Sequence, residues 1–326
     1  MPELPEVERA AALVRTLALN KKIEKVLTSE DALIFSGISH QEFAKELVGR
    51  TIANVGRYGK VFYFELDGKG RMPVFHFGMT GTLQVKGEAP TYYKGGLRKV
   101  STEWPPRFMK FILHISSPSS EVVTEIAYSD ARRLGRIRLV TSPFNEPPIS
   151  TMGFDPILSM PGIDGFKKVV IKRSCPIKSL LLNQSFSAGI GNWVADEVLY
   201  HSRVHPEQRC NTLSEDQLIA LHHQIIEVCR IAVEANADDA KFPQDWLFKH
   251  RWSSGELATI KWITVGGRTS AYVAELQHLP NDLTPLPDSD ADAVVQTTRR
   301  KRKESASKTL RGSKIRESKR VKTSRQ

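Results

Sequence analysis

Cysteine is scarce: Cys175, Cys210 and Cys229 are the only three in 326 residues. So few, so widely spaced, exclude a disulfide framework, a zinc knuckle and a CxxC redox motif. They suit a reducing compartment. Long apolar runs are also missing. None approaches the ~18 residues of a membrane-spanning helix, so no membrane partner is expected. The start, Met1-Pro2-Glu3-Leu4-Pro5-Glu6, lacks the basic-then-apolar layout of a secretory signal. No internal repeat is evident.

What is present reads as globular. Hydrophobic residues are 40% and charged residues 25%, enough for a sizeable core. The length suits two domains or three small ones. The formal charge is +11, but it is unevenly spread. Residues 296–326 hold thirteen Lys or Arg against two acidic residues, and residues 281–295 hold four Asp and no basic residue. Residues 1–280 carry 34 basic and 30 acidic residues, a balance of +4. The charge extreme belongs to a tail, and a basic tail suits an anionic partner such as nucleic acid.

Apolar spacing predicts a helix over 3–19, with Leu4, Val7, Ala11, Val14 and Leu17 recurring at helical intervals. Pro2 and Pro5 sit where a missing N–H costs least. Residues 50–140 read as short strands: Thr51–Val55, Lys60–Leu66, Met72–Phe77, Gly81–Val85, Phe108–Ile115, Val122–Ser129 and Arg136–Val140. Beyond Pro148 the period turns helical over 164–170, 176–184, 192–203 and 214–235, the last opened by a Ser214/Gln217 capping box. Asp245–His250 is a candidate short turn of helix. Ala258–Val265 and Thr269–Leu276 read as a hairpin about Gly266-Gly267. The expected fold is α+β. An N-terminal β-sandwich with flanking helices spans 1–142, a helical domain 143–256, a β-hairpin 257–280, and a disordered basic tail 281–326.

The first residues carry chemistry. Removal of Met1 exposes Pro2 as a secondary amine. An α-amine has a pKa near 7.7–8.0 against ~10.4 for lysine, and the positive end of a helix disfavours its protonation further. Such an amine can attack an electrophilic carbon and form an iminium. Glu3 is adjacent and Glu6 lies one turn on, so carboxylates are at hand for proton transfer. Helix capping by Pro and Glu is the plainer use of the same residues.

The whole string Met1-Pro2-Glu3-Leu4-Pro5-Glu6-Val7-Glu8 resembles the N-terminus of the formamidopyrimidine-DNA glycosylase (Fpg) family. Leu4 is nearer the Fpg branch than the Nei branch, which usually has Gly there. The resemblance implies that Pro2 is the nucleophile, Glu3 a general acid/base and Glu6 a supporting carboxylate. Further segments follow in family order. Arg57-Tyr58-Gly59-Lys60 resembles the family's β-turn lysine, which makes Lys60 a phosphate contact that assists elimination. His76-Phe77-Gly78-Met79-Thr80-Gly81 implies a phosphate contact for His76 and, for Met79, a wedge into the gap left by an extruded nucleotide. Asp130-Ala131-Arg132-Arg133-Leu134-Gly135 implies that Arg132 reads the orphaned opposite base. Leu134 stands where the family usually has Phe, so it wedges without aromatic stacking.

Lys178-Ser179-Leu180-Leu181-Leu182 and Gly189-Ile190-Gly191-Asn192-Trp193-Val194-Ala195-Asp196-Glu197 resemble the family's helix–two-turn–helix. Lys178 then faces the lesion pocket. Asn192 is a candidate N-cap, beside glycine N–H groups able to hold phosphate oxygens. Lys261–Val273 falls where many members carry a four-cysteine zinc finger, yet no cysteine follows Cys229. It resembles the zincless finger of plant and fungal members, with Arg268 as phosphate clamp. No cofactor and no metal are implied. Arg299-Arg300-Lys301-Arg302-Lys303 reads as a nuclear localisation cluster or a DNA-binding arm.

The resemblance implies a nuclear, monomeric base-excision-repair enzyme acting on damaged double-stranded DNA. It would excise oxidised purines, namely formamidopyrimidines and hydantoins, with 8-oxoguanine left open, and nick the abasic strand by β,δ-elimination. Two other readings are a Nei-like preference for oxidised pyrimidines and a damage-binding protein without catalysis.

Overall fold

Helix α1, Leu4–Ala18, opens the chain in the computed structural model, which describes residues 2–88, 103–117, 120–251 and 260–280. Its buried face runs Leu4, Val7, Ala11, Val14 and Ala18, a helical stripe that needs apolar cover along its length. Two different cores supply it. Val7 onward packs into a sandwich core. Leu4 belongs to the core of the helical half. The first turn of α1 therefore lies where the two halves meet.

Among the described residues, eight antiparallel strands make the sandwich: β1 (Lys22–Thr28), β2 (Ile52–Tyr58), β3 (Val61–Leu66), β4 (Met72–His76), β5 (Thr82–Val85), β6 (Met109–Ser117), β7 (Ser120–Ser129) and β8 (Arg136–Val140). They form two four-stranded sheets of order β1-β6-β7-β5 and β2-β3-β4-β8. Phe62, Phe64 and Phe75 from one sheet, with Phe77 just past the end of β4, meet Phe111 and Tyr128 from the other. Strand β3 is buried on both faces. Phe62 and Phe64 point to the sandwich core, while Val61 and Tyr63 face a second cluster with Val74, Val140 and Ile149. That two-sided burial explains its almost unbroken apolar sequence.

Strand β1 and the eight-residue helix α2, His40–Leu47, are absent from the sequence expectations. The seven expected strands are all present, within a few residues of their expected ends.

The second half is helical: α3 (Ile163–Val170), α4 (Ile177–Leu182), α5 (Asn192–His201), α6 (Glu215–Glu234) and the short α7 (Leu247–His250). The Ser214/Gln217 capping box forms as expected. Strands β9 (Ile260–Val265) and β10 (Arg268–Val273) make the hairpin about Gly266-Gly267. Ala271 and Val273 pack with Leu247 and Tyr200 of the helical half. The basic cluster Arg299–Lys303 and the rest of the expected tail from 281 lie outside the described residues.

Candidate active site

Glu3 is the hub. It is buried, and its carboxylate accepts hydrogen bonds from the backbone N–H of Trp193 at 3.0 Å and of Val194 at 3.1 Å. Both donors belong to the first turn of α5, which has unpaired N–H groups and a positive dipole end. The carboxylate thus caps a helix that lies 190 residues away in the chain. Asn192 is not the N-cap. Gly191 holds that position and has no side chain to cap with. The helix start expected to receive phosphate is occupied by Glu3 instead, and Gly189 N–H is taken by Gln184 Oε1 at 3.0 Å.

The glycines have a steric reason. A Cβ on Gly191 would sit 2.2 Å from Glu3 Cδ, and one on Gly189 would meet Leu4 Cδ1 at 2.8 Å. Gly189 also has φ +102, a region that L side chains avoid. Its carbonyl accepts the Leu4 N–H at 3.1 Å. The helix–two-turn–helix segment is therefore moulded onto the N-terminal Pro2–Leu4 run. Pro2 is buried there too.

Glu6 lies behind Glu3. Its Oε2 accepts the Glu3 backbone N–H at 2.9 Å, and its Oε1 accepts Trp193 Nε1 at 3.1 Å. Burial, and then the charge of Glu3, push the Glu6 carboxyl up to about 7. Near neutrality it is poised between its two protonation states.

Lys60 follows Gly59 in the β2–β3 turn and donates to Ile190 O at 2.9 Å. Burial lowers its pKa. Glu3 and Glu6 act against that, and Arg268 adds to it. Lys60, Glu3, Glu6 and Arg268 thus share one electrostatic field, although Arg268 itself is exposed at the start of β10.

A buried ion pair sets the turn. Asp155 Oδ2 accepts Gly59 N–H at 2.8 Å and pairs with Arg57 Nη1. Arg57 Nε also donates to Glu8 at 2.8 Å. Sequence reasoning missed Asp155, because nothing local links it to residues almost a hundred positions earlier.

Lys178 does not face an open pocket. It is fully buried, paired with Asp196 Oδ1, and donates to Asn192 O at 2.9 Å. Asp196 is in turn held by Arg251 Nη2 at 2.8 Å. Burial lowers the Lys178 pKa, while Asp196 and Glu3 favour its charge. Asp196 and Arg251 were also missed. The available signal was a charged pair, Asp196-Glu197, inside the apolar stripe of a helix. Asn192 Nδ2 reaches across to Thr269 O at 2.8 Å, so it ties the hairpin carrying Arg268 to the start of α5.

A second group lies at one end of the sandwich. Met79 and Leu134 are large apolar side chains left 37% and 40% exposed. Their loops touch, since a Cβ on Gly78 would meet the Leu134 carbonyl carbon at 2.3 Å. Asp130 joins them. It accepts from Thr80 Oγ1, from Arg132 N–H at 3.2 Å and from Gly135 N–H at 2.7 Å. Arg132 is exposed, whereas Arg133 is bound to Asp31 at 2.9 Å.

His76 connects the two groups. Burial, then Lys60, lower its pKa to about 4, so it is neutral at physiological pH. Its Nδ1 accepts Gly78 N–H at 3.1 Å, which leaves the proton on Nε2. It can therefore donate one hydrogen bond to an anion but adds no charge. Among the described residues no cluster of His, Cys, Asp and Glu could hold a metal ion.

Comparison with known proteins agrees with this layout. Residues 1–137 match the formamidopyrimidine-DNA glycosylase N-terminal domain, and residues 152–244 match the H2TH domain of the same enzymes. A formamidopyrimidine-DNA glycosylase of Arabidopsis thaliana is 42% identical over 284 residues, covering 86% of this chain and 71% of that one. The Bacillus licheniformis protein of the same name is 30% identical, over 74% of this chain and 81% of its own. A crystal structure of the Lactococcus lactis enzyme bound non-covalently to DNA containing an AP site superposes with a TM-score of 0.68. It covers 84% of this chain and 99% of its own at 24% identity, a likeness of fold.

Proposed function

The chain belongs to the formamidopyrimidine-DNA glycosylase family, and from that membership we propose a bifunctional DNA glycosylase and abasic-site lyase of base excision repair. The observation that carries the proposal is the seat of Glu3. Its carboxylate is fixed by two N–H donors, one residue from Pro2, and its charge acts on Lys60, as does that of Arg268.

In this reading Met1 is removed and Pro2 presents its amine. Damaged duplex DNA lies across the face where Met79, Arg132 and Leu134 stand exposed. Met79 and Leu134 fill the gap left by an extruded nucleotide, and Arg132 reads the base left behind. His76 donates a hydrogen bond from Nε2–H to a phosphate. The Pro2 nitrogen attacks the anomeric carbon, the bond to the damaged base breaks, and Glu3 assists opening of the sugar ring. The proton goes to the ring oxygen, which leaves the anomeric carbon as a sugar hydroxyl, and the carbon–nitrogen bond becomes an iminium. Lys60 and Arg268 stabilise the phosphates that leave in β- and then δ-elimination.

Burial lowers the Lys60 pKa, which brings its ammonium closer to giving up a proton. Lys178 acts from its buried seat by holding the start of α5, and so Glu3, in place. The hairpin keeps its shape through Asn192 and apolar packing, as a zincless finger would. The substrate class is oxidised purines, formamidopyrimidines and hydantoins first, acted on by a monomer in the nucleus.

Borohydride trapping on abasic duplex tests the centre of this mechanism. Pro2→Gly should reduce trapped complex by about 10²-fold or more while the melting temperature holds. Undiminished trapping and nicking by Pro2→Gly would remove Pro2 from the nucleophile's role.

A further inference from the structure

Cys175 precedes α4, and Cys210 opens the 3-10 turn Cys210–Thr212. The fold brings them together through a short antiparallel bridge. Pro176 pairs with Arg209. Ile177 N–H donates to Gln208 O at 2.9 Å, and Cys210 N–H donates to Cys175 O at 3.0 Å. In such a ladder Cys175 and Cys210 are directly opposite, at the hydrogen-bonded kind of position where Cα atoms lie about 5.5 Å apart. Directly opposed side chains leave on the same face. That separation is inside the ~4.4–6.8 Å that a disulfide bridges.

The thiols are free and in contact. The Cys175 side chain lies within hydrogen-bonding reach of the Cys210 thiol, and burial followed by this neighbour pushes Cys210 upward. Their exposure differs. Cys210 is fully buried, while Cys175 is half-buried and reaches solvent. One sulfur can meet a small oxidant, and the other waits behind it.

We propose that Cys175 and Cys210 are an oxidant-sensitive dithiol that closes to an intramolecular disulfide under hydrogen peroxide. Cys175 Sγ gives up its proton and attacks one peroxide oxygen. The O–O bond breaks, and the departing hydroxide takes a proton to become water. Cys175 is left as a sulfenic acid. Cys210 Sγ then attacks Cys175 Sγ. The S–O bond breaks, and the hydroxyl leaves with the Cys210 proton as a second water. Two thiols lose two electrons, and one peroxide is reduced to two waters. The new bond closes a loop over residues 176–209, the stretch carrying Lys178, Gly191 and Asn192. It braces the segment against which Glu3 is seated, by removing freedom from the unfolded chain.

The experiment uses the full chain, treated with hydrogen peroxide and, separately, with diamide. The intact mass should fall by two hydrogens, and peptide mapping should find Cys175 joined to Cys210. Dithiothreitol should restore the starting mass. The melting temperature should rise by about 5 °C or more on closure. Cys175→Ser and Cys210→Ser should each abolish the cross-link, while Cys229, buried in α6, stays reduced. The proposal is overturned if both thiols stay open to alkylation after both oxidants. It is equally overturned if Cys175 goes to sulfinic acid beside an intact Cys210, or if the cross-link runs to Cys229 or to a second chain.

Discussion

Glu6 is a carboxyl group with nowhere to put its charge. It is buried beside another carboxylate, and its folded pKa is about 7 against an ordinary 4.5. The folded protein therefore keeps a proton that the unfolded chain releases between these values. Stability from this group is present below about pH 4.5 and falls as pH rises through 7. Between pH 5.5 and 8 the loss is about 2 kcal/mol at about 1.4 kcal/mol per unit. Urea unfolding across that range should show the decline, and Glu6→Gln should flatten it. Equal slopes in the two proteins would mean that Glu6 is ionised throughout. Pro2, Glu3, Glu6 and Lys60 were legible as residues because they sit in contiguous strings. Asp155, Asp196 and Arg251 were not. A buried charge is defined by its partner, and their partners lie 98, 18 and 55 positions away along the chain.

At the scale of elements, the start of α5 is shaped by what lies on it. Gly191→Ala would drive a methyl group to 2.2 Å from Glu3 Cδ. Glu3 would have to leave the N–H groups it caps. Single-turnover excision should fall by about 10²-fold, the order expected when a catalytic group moves by an ångström. Gly162→Ala, where an added Cβ meets nothing within 4 Å, is the control and should retain full activity. If Gly191→Ala excised damage at the normal rate, the seat of Glu3 would not matter. The two overlooked elements have physical explanations. In β1 a register shift between Ile23 and Lys25 breaks the alternation, and its buried residues Ile23 and Val26 fall three apart. Helix α2 buries only Phe43 and Leu47, too few anchors to reveal a period. The long helices and the aromatic strands were legible because their periods repeat.

For the whole molecule, the Arg57–Asp155 pair joins the sandwich to the segment leading into the helical half. Asp155→Ala would leave Arg57 buried with only Glu8 as counter-ion. The cost should be about 3–5 kcal/mol, as for other broken buried pairs. The Lys60 turn loses its Gly59 anchor at the same time, so nicking of abasic DNA should fall along with the melting temperature. A variant of unchanged stability would show that water replaces Asp155 freely. The basic excess belongs to a different part of the chain. Deleting residues 281–326 should weaken binding to undamaged duplex at low salt by about tenfold or more and shallow the salt dependence. It should leave single-turnover excision at saturating enzyme unchanged. A fluorescent fusion lacking these residues should lose nuclear enrichment, and an unchanged distribution would assign import to the body of the protein.

Local patterns in the sequence determined the α+β order, the strands, the long helices, the hairpin and the separate motifs of one family. They do so because periodicity, turns and caps are short-range properties of neighbouring residues. Tertiary structure alone decided what those motifs do to one another. It set Glu3 as the cap of α5, sealed Lys178 against Asp196, made Asp155 the anchor of the Lys60 turn, and laid Cys175 beside Cys210. Each of these depends on burial, which changes the cost of charge and the reach of a side chain. Burial is a property of the packed chain and not of any window along it.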